Sequence, residues 1–394
     1  MTTPAPAASA TAAARWALLA GNFAIGCGVM VAAGSLNDLV RSLQVSVAVG
    51  GQLISVAALV MALGAPLLAA AVGGFDRRWL LVLALVWYAA GHALAALMPD
   101  FAALLPVRAL SMLGAAVFTP QAAAAITAMT PPAERGRAIT FIFLGWSLAS
   151  VLGLPLHSYI GESFGWRWAF GLVTLLSAAA ALAVWRALPG GIRPPPLSLA
   201  SWRGTLTHPL LMGVVAVTAL SAAGQFTLFS YFAPYFRQVL GADAAGVSVI
   251  FLAFGAFGLA GNLLLSRWID RFGAARCVTA LLGCIALSLL IWPLATGLLA
   301  MTVVLVPWAL GCFASNSAQQ ARLGAAAPAL APALMALNTS AMYLGQGVGA
   351  AGGGAWLAAW GYGGLQWMAL TWVLLALALS AWLARRMKDE AHDS

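Results

Sequence analysis

The sequence contains very little charge. Only 7% of its 394 residues are Asp, Glu, Lys or Arg, whereas a soluble domain carries about 25%. Hydrophobic residues make up 63% of the chain. A chain this apolar does not stay soluble as a monomer, so we expect lipid to be its solvent and the bilayer to be its main partner.

Other scarcities exclude whole classes of function. Lys388 is the only lysine, and no G-x-x-x-x-G-K-[ST] motif exists, which excludes an ATP-driven pump on this chain. Four scattered histidines and four cysteines without metal-type spacing predict no metal site, no cofactor and no enzyme active site. The net charge of +9 is spread over short loops, so we expect no nucleic-acid partner.

What the chain does contain is long hydrophobic runs, each of about the 20 residues that a membrane-crossing helix needs. The twelve runs are 16–36, 46–72, 79–98, 101–129, 138–160, 167–188, 209–236, 245–269, 277–296, 298–326, 332–358 and 364–386. Fifteen basic residues lie on the side of the N-terminus and three on the other, which predicts a cytoplasmic location for both termini.

Short motifs repeat at a nearly constant offset. Asp76-Arg77 closes the second run and Asp270-Arg271 closes the eighth, 194 residues later, while Gln121 and Gln319 lie 198 apart. Two similar six-helix halves with a substrate site between them are a common transporter plan. We therefore predict an all-α membrane protein, with twelve transmembrane helices in two pseudo-symmetric six-helix bundles. The predicted layout is a disordered cytoplasmic tail at 1–15, a bundle at 16–188, a cytoplasmic linker at 189–208, a second bundle at 209–386 and a tail at 387–394.

The loop after the eighth run reads S-R-W-I-D-R-F-G-A-A-R, residues 266–276. It resembles the cytoplasmic loop signature of the major facilitator superfamily, and Asp270, Arg271 and Gly273 match it. The first-half copy keeps Asp76 and Arg77. These charges are candidates for a latch that pairs in one conformation and releases in another. The alternative is a basic anchor that only turns the chain.

Two further stretches carry the same resemblance. Residues 108–116, R-A-L-S-M-L-G-A-A, resemble the family's fourth-helix pattern, and an arginine inside a spanning helix is a functional candidate, unless it snorkels to the surface. Gly153, Pro155 and Gly161 match the fifth-helix motif of drug and sugar antiporters, although such residues also serve helix packing alone.

Residues 319–323 and 336–349 are similar to the bacterial drug and sugar efflux permeases, the arabinose-efflux-like branch. The resemblance implies a monomeric secondary transporter of the bacterial inner membrane that exports its solute by proton antiport. The alternatives are an importer or uniporter without proton coupling and a non-transporting membrane sensor.

One departure from that branch concerns the energy source. Relatives carry a membrane-embedded Glu in the first helix, where this chain has Val29. No acidic residue is expected in mid-membrane. The proton-coupling candidates are therefore Asp38, paired with Arg108, and the buried histidines His92 and His157, although a lone histidine is more often structural.

The resemblance also implies a cavity lined mainly by helices 1, 4, 7 and 10. Polar side chains in lipid are costly unless paired, so we expect those of the spanning helices to face inward, either to bind substrate or to join helices. Amides, hydroxyls and one arginine suit a small amphipathic solute that is neutral or weakly anionic. The predicted substrate-binding residues are Asn22, Arg108, Gln121, Gln225, Tyr231, Asn316, Gln320, Asn338 and Tyr343.

Overall fold

The computed structural model describes residues 11–72, 74–131, 134–193, 199–327 and 330–393. Throughout these ranges the regular structure is helical, with no strand. The first-half helices are α1 Ala12–Gly34, α2 Leu36–Ser42, α3 Val47–Gly50, α4 Gln52–Ala71, α5 Arg77–Ala96, α6 Phe101–Ala128, α7 Arg135–Leu148, a π-helix Ala149–Gly153, α8 Leu154–Phe164 and α9 Trp166–Ala187. The later helices are α10 Leu199–Leu206, α11 Pro209–Phe229, α12 Phe232–Gln238, α13 Ala244–Phe272, α14 Ala274–Ile291, a 3₁₀ turn Trp292–Leu294, α15 Leu298–Ala326, α16 Ala331–Trp360 and α17 Leu365–Asp393.

Every predicted hydrophobic run forms helix, but the ends differ. The first helix begins at Ala12 rather than at 16, because Thr11 caps it by accepting the backbone N–H of Ala14. The last helix continues to Asp393, so the segment predicted as a tail is helical to that residue. The predicted linker contains the short helix α10. Residues 1–10 lie outside the described residues.

Acidic residues mark the starts of several spans. Asp76, Asp100 and Asp243 each precede a helix, and each accepts a hydrogen bond from a backbone N–H of its first turn. A carboxylate there satisfies donors that have no partner within the helix and complements the positive end of the helix dipole. These acids therefore define the edges of the spans.

Eleven helical segments in the described part of the chain are long and apolar enough to cross a membrane. The one predicted span that is not among them is the eleventh, α16, although its 30 residues reach about 45 Å. It packs against α11 in its own half and against α4 in the other. This helix can carry many small and polar residues because it packs against spans of both halves, α11 and α4.

The helix pairings repeat between the halves. In the first half α1 packs on α7 and α9, and in the second α11 packs on α16 and α17, six spans later. Across the halves α4 packs on α16 and α8 packs on α13, which are equivalent pairs under the same shift. The protein is thus a twelve-helix membrane fold of two pseudo-symmetric six-helix bundles, as predicted. We call the membrane side that holds the termini the terminal side, and the other the distal side.

Glycines bring the paired helices into backbone contact. Gly345, Gly349 and Gly353 recur every four residues on α16, and a Cβ on each would overlap a backbone carbonyl of α11, at Ala219, Ala223 and Thr227 respectively. Stripes of small residues at this spacing allow close approach of membrane helices. The α11–α16 pair is therefore held by shape rather than by large side chains.

The fifth span uses the same device against α1. A Cβ on Gly153 would lie 2.7 Å from Cys27 Sγ, and one on Gly161 would lie 2.9 Å from Ser35 Cβ. Between α7 and α8 the chain widens into the π-helix, just ahead of Pro155. Proline lacks an N–H and collides with the carbonyl four residues earlier, which favours such a bulge. The fifth-helix motif thus lies at a helix-packing surface.

Candidate functional site

Arg108 lies at the centre of the candidate site, on α6, with no exposed surface. Its Nη1 is 3.0 Å from His92 Nε2 on α5, and its Nη2 donates to the backbone carbonyl of Val29 on α1 at 3.1 Å. Its Nε has no hydrogen-bond partner among the described residues. Arg108 does not snorkel to the surface. It is a buried cation that joins three helices, and no described carboxylate pairs with it.

The hydrogen bonds of His92 define its protonation state in this arrangement. Nδ1 lies 2.8 Å from the carbonyl oxygen of Tyr88, which can only accept, so Nδ1 carries a proton. Nε2 faces the guanidinium of Arg108, which can only donate, so Nε2 is the acceptor. The buried imidazole is therefore neutral here.

The pairing of Asp38 with Arg108 that the sequence suggested does not occur. The first helix ends at Gly34, and Asp38 lies on the separate short helix α2. One of its oxygens accepts from Arg41 at 2.6 Å and the other from the backbone N–H of Trp166 at 2.7 Å. The hydrogen bond to Asp38 raises the pKa of Arg41.

His157 is also fully buried, on α8 against Gly34 of α1. Neither ring nitrogen makes a hydrogen bond within the described structure, whereas its backbone carbonyl accepts from Ser35 Oγ at 3.2 Å. His157 is therefore a buried histidine that packs against the first helix, and the described structure shows no contact between its ring and Arg108.

Several predicted substrate residues use polar groups for hydrogen bonds to neighbouring helices. Asn22 donates to the Ile142 carbonyl at 3.1 Å, and the hydroxyl of Tyr231 donates to the Ala350 carbonyl at 2.6 Å. Gln225 accepts from Trp308 Nε1 of α15 at 3.2 Å, and it also donates to Ser221 on its own helix at 3.2 Å. For these residues the structure shows the helix-joining contacts.

A buried amide network ties together α11, α15 and α16. Asn338 accepts from the hydroxyl of Thr218 at 2.6 Å and donates to Asn316 at 3.1 Å. Gln319 donates to the Val214 carbonyl at 2.8 Å and to Thr218 at 3.4 Å. We did not predict Gln319 as a site residue, although its repeat relation to Gln121 was a signal for it.

The remaining substrate candidates keep polar groups uncommitted. Gln121 is buried, and its Oε1 has no partner among the described residues. Gln320 is half-buried. Tyr343 is buried on α16, although it packs in the core of the first half. These side chains and Arg108 are the groups most available to a solute.

The first copy of the latch residues makes contacts within the first half and with the start of the predicted linker. Asp76 caps α5 and also accepts the backbone N–H of Gly191, while Arg77 donates to the carbonyls of Val72 and Phe75 at 3.2 and 2.9 Å. The start of α5 is thereby tied to the segment after α9.

The second copy has a different environment. The guanidinium of Arg271 lies 5.3 Å from the ring of its neighbour Phe272, and Gly273 has φ +80°, a conformation that glycine adopts readily. The side chain of Asp270 lies outside the described residues. A latch between the halves therefore stays a prediction.

Two pseudo-symmetric six-helix bundles, the first of which holds a buried cation between α1, α5 and α6, define a membrane transport protein rather than an enzyme. The sequence model of the Major Facilitator Superfamily matches residues 18–350 and 215–394. The chain belongs to the Major Facilitator Superfamily.

Curated relatives span nearly its whole length. The uncharacterized MFS-type transporter YbcL of Bacillus subtilis is 26% identical over 364 residues, covering 91% of this chain and 92% of the relative. The inner membrane transport protein YdhP of Escherichia coli K12 is 27% identical over 374 residues, covering 95% and 96%. The chain is thus a multi-pass membrane protein whose relatives are described as transporters.

Solved structures share the fold at low sequence identity. A bacterial homolog of the human lysosomal transporter Spinster, inward-facing and unoccupied, superposes with a TM-score of 0.74 at 17% identity, covering 96% of each chain. A D-xylose-proton symporter gives 0.70 at 17% identity, covering 93% of this chain and 96% of the other. These similarities show the major facilitator fold. The substrate has to be inferred from the residues of this chain.

Proposed function

We propose that this transporter exports a small amphipathic solute, neutral or weakly anionic, across the bacterial inner membrane in exchange for protons. The efflux-permease resemblance and an inner-membrane relative support the branch and the location. The excess of basic residues on the terminal side supports cytoplasmic termini. In this layout 16–188 and 209–386 are the two moving bundles, 189–208 links them, and the chain works as a monomer.

The contact between Arg108 and His92 carries the proposal. Arg108 is permanently charged, and it donates to a ring nitrogen that accepts only while His92 is neutral. A proton on that nitrogen removes the acceptor and places two cations about 3 Å apart in a buried site, which is strongly unfavourable. Proton binding to His92 therefore displaces Arg108.

Exchange follows when the solute needs the undisplaced arrangement. In the proposed cycle the solute binds while Arg108 rests on His92 and Val29, so solute and proton exclude each other. Mutually exclusive binding of two ligands is the linkage that antiport requires. His92 would thus take over the role that the resemblance assigns to an acid at position 29, with His157, which packs on the same helix α1, as a second buried base.

The solute class follows from the groups that lack partners. Arg108 Nε, Gln121 Oε1 and Asn22 Oδ1 are buried and have no described hydrogen-bond partner. No described group of three or more His, Cys, Asp or Glu residues is arranged to hold a metal ion. One cation and neutral amides suit a solute with hydrogen-bonding groups and at most a weak negative charge.

A uniporter is the second candidate. Val29 removes the expected acid, and Arg108 bonds to the Val29 backbone instead, so the charge is held without a titrating carboxylate. A carrier of this kind would move its solute down its gradient irrespective of pH.

A screen of small solutes by thermal shift on purified protein identifies the ligand, since binding to the folded state raises the apparent melting temperature. Flux of that ligand into proteoliposomes is then measured with and without an imposed pH gradient. We expect uptake driven toward the acidic side. Absence of flux under every gradient would refute transport, and flux indifferent to pH would favour the uniporter.

A further inference from the structure

Charged residues collect on the distal side, where the two halves meet. Asp38 and Arg41 lie on α2, Glu162 lies near the end of α8, and Arg237 lies on α12 of the second half. An open pocket of about 350 Å³ lies at this junction, and its lining includes Asn37, Arg41 and Arg237. Water can therefore reach Arg41 and Arg237 from the distal surface.

Two ion pairs in this cluster differ in what they join. Arg41 and Asp38 are 2.6 Å apart on one short helix, so no motion between the halves separates them. Glu162 Oε2 and Arg237 Nη1 are 3.3 Å apart and belong to different halves. Rocking of the halves that opens the distal side must break the second pair and leaves the first intact.

The pair between the halves is also the more buried one on its acidic side. The Glu162 side chain is 3% exposed and that of Arg237 is 39% exposed. The other carboxylate oxygen of Glu162 has no described partner, so Arg237 provides its only ion pair among the described residues. A buried charge that loses its partner is strongly destabilised until water reaches it, whereas an exposed pair contributes little.

Neighbouring contacts close the same junction. Asn37 of the first half donates to the backbone carbonyl of Ala233 at 3.1 Å. The hydroxyl of Tyr231 packs over Gly51, where a Cβ would overlap it. Among the described residues, the contacts that close the distal side thus include this hydrogen bond, the packing of Tyr231 on Gly51 and the ion pair between Glu162 and Arg237.

We infer that Glu162 and Arg237 form the distal gate of the transport cycle, and that their ion pair sets how often the distal side opens. The inference rests on the proposed function, since it assigns the pair to the alternation of access. It adds two positioning residues outside the solute site.

The gate is tested by the reactivity of a cysteine at the junction. Ala233 is 1% exposed, so Ala233→Cys reports opening through its rate of labelling by a polar maleimide in detergent. The parent protein without this substitution gives the background of the four native cysteines. We expect Glu162→Gln and Arg237→Gln each to raise the rate by about three- to tenfold, because closure loses its ion pair.

Arg41→Gln is the matched control, since it removes an arginine from the same cluster but from a pair within one half. It should raise the rate by much less than either gate variant, because Arg41 makes its ion pair with Asp38 although it also feels the charge of Glu162. The exchange Glu162→Arg with Arg237→Glu should restore slow labelling. Unchanged rates in both single variants, or an equal rise in Arg41→Gln, would overturn the gate. Labelling needs no solute, so a failure of transport would contradict the proposed function and leave this result standing.

Discussion

Arg108 is a buried charge whose burial costs free energy and whose position suits it to bind a solute. Its guanidinium is shared between an imidazole and a backbone carbonyl, with one nitrogen left over. Burial of a cation without a counter-charge is tolerated in membrane proteins chiefly where function needs it. The sequence suggested Asp38 as the partner of Arg108, and the structure shows His92 in that place.

Replacement of Arg108 by alanine should weaken binding of the identified solute by roughly ten- to a hundredfold, the loss expected for a charge-assisted hydrogen bond. The shift of melting temperature against solute concentration measures it. Arg322→Ala is the control, because Arg322 is also buried in a spanning helix but is held by Ser380, away from the proposed site. It should lower stability and leave the affinity intact. Intact binding in Arg108→Ala would remove Arg108 from the site.

His92→Gln should separate solute movement from the pH gradient. The amide oxygen of glutamine can still accept from Arg108, but it cannot take up a proton at physiological pH. We expect solute exchange without a gradient to persist, and acceleration by a pH gradient to disappear, in proteoliposome flux. The exposed His208→Gln serves as the control and should retain full acceleration. A gradient response that survives in His92→Gln would place the proton elsewhere.

The pairing of α11 with α16, and of α1 with the fifth span, shows how elements are joined without large side chains. Glycines place backbone against backbone, and amide networks such as Thr218–Asn338–Asn316 supply direction. The motif in the sequence indicated that the glycines of the fifth helix are important. It did not reveal which helix they face, because that depends on contacts between distant segments.

Gly349→Ala tests the glycine stripe, since an added methyl group would meet the Ala223 carbonyl on α11. We expect a loss of about 1–3 kcal/mol, the range for overpacked sites, seen as a lower melting temperature of the purified protein. Gly283→Ala is the matched control on α14, where nothing lies within 4 Å of the added Cβ. There alanine should be neutral or slightly stabilising. Equal effects of the two substitutions would mean that the stripe is not tightly packed.

For the whole molecule, hydrophobic length was enough to predict the twelve spans, and the repeat of short motifs predicted their division into halves. The pattern works because lipid forces every backbone polar group into a helix. Hydrophobic length did not predict the helix ends at Ala12 and Asp393. Both helices continue past the apolar run, where the chain is polar or charged. The sequence did not predict the hydrogen-bond partners of the polar residues either. Side chains such as Asn22, Gln225 and Tyr231 are equally suited to joining helices and to binding a solute.

The central claim is that solute and proton exclude each other at Arg108 and His92. Proton release on solute binding tests it most directly, measured with a pH-sensitive dye on purified protein in weak buffer. We predict release when the identified solute saturates the wild-type protein, and no release from His92→Gln. Proton uptake would indicate symport, and no change in the wild-type protein would indicate uniport; either result would contradict the account.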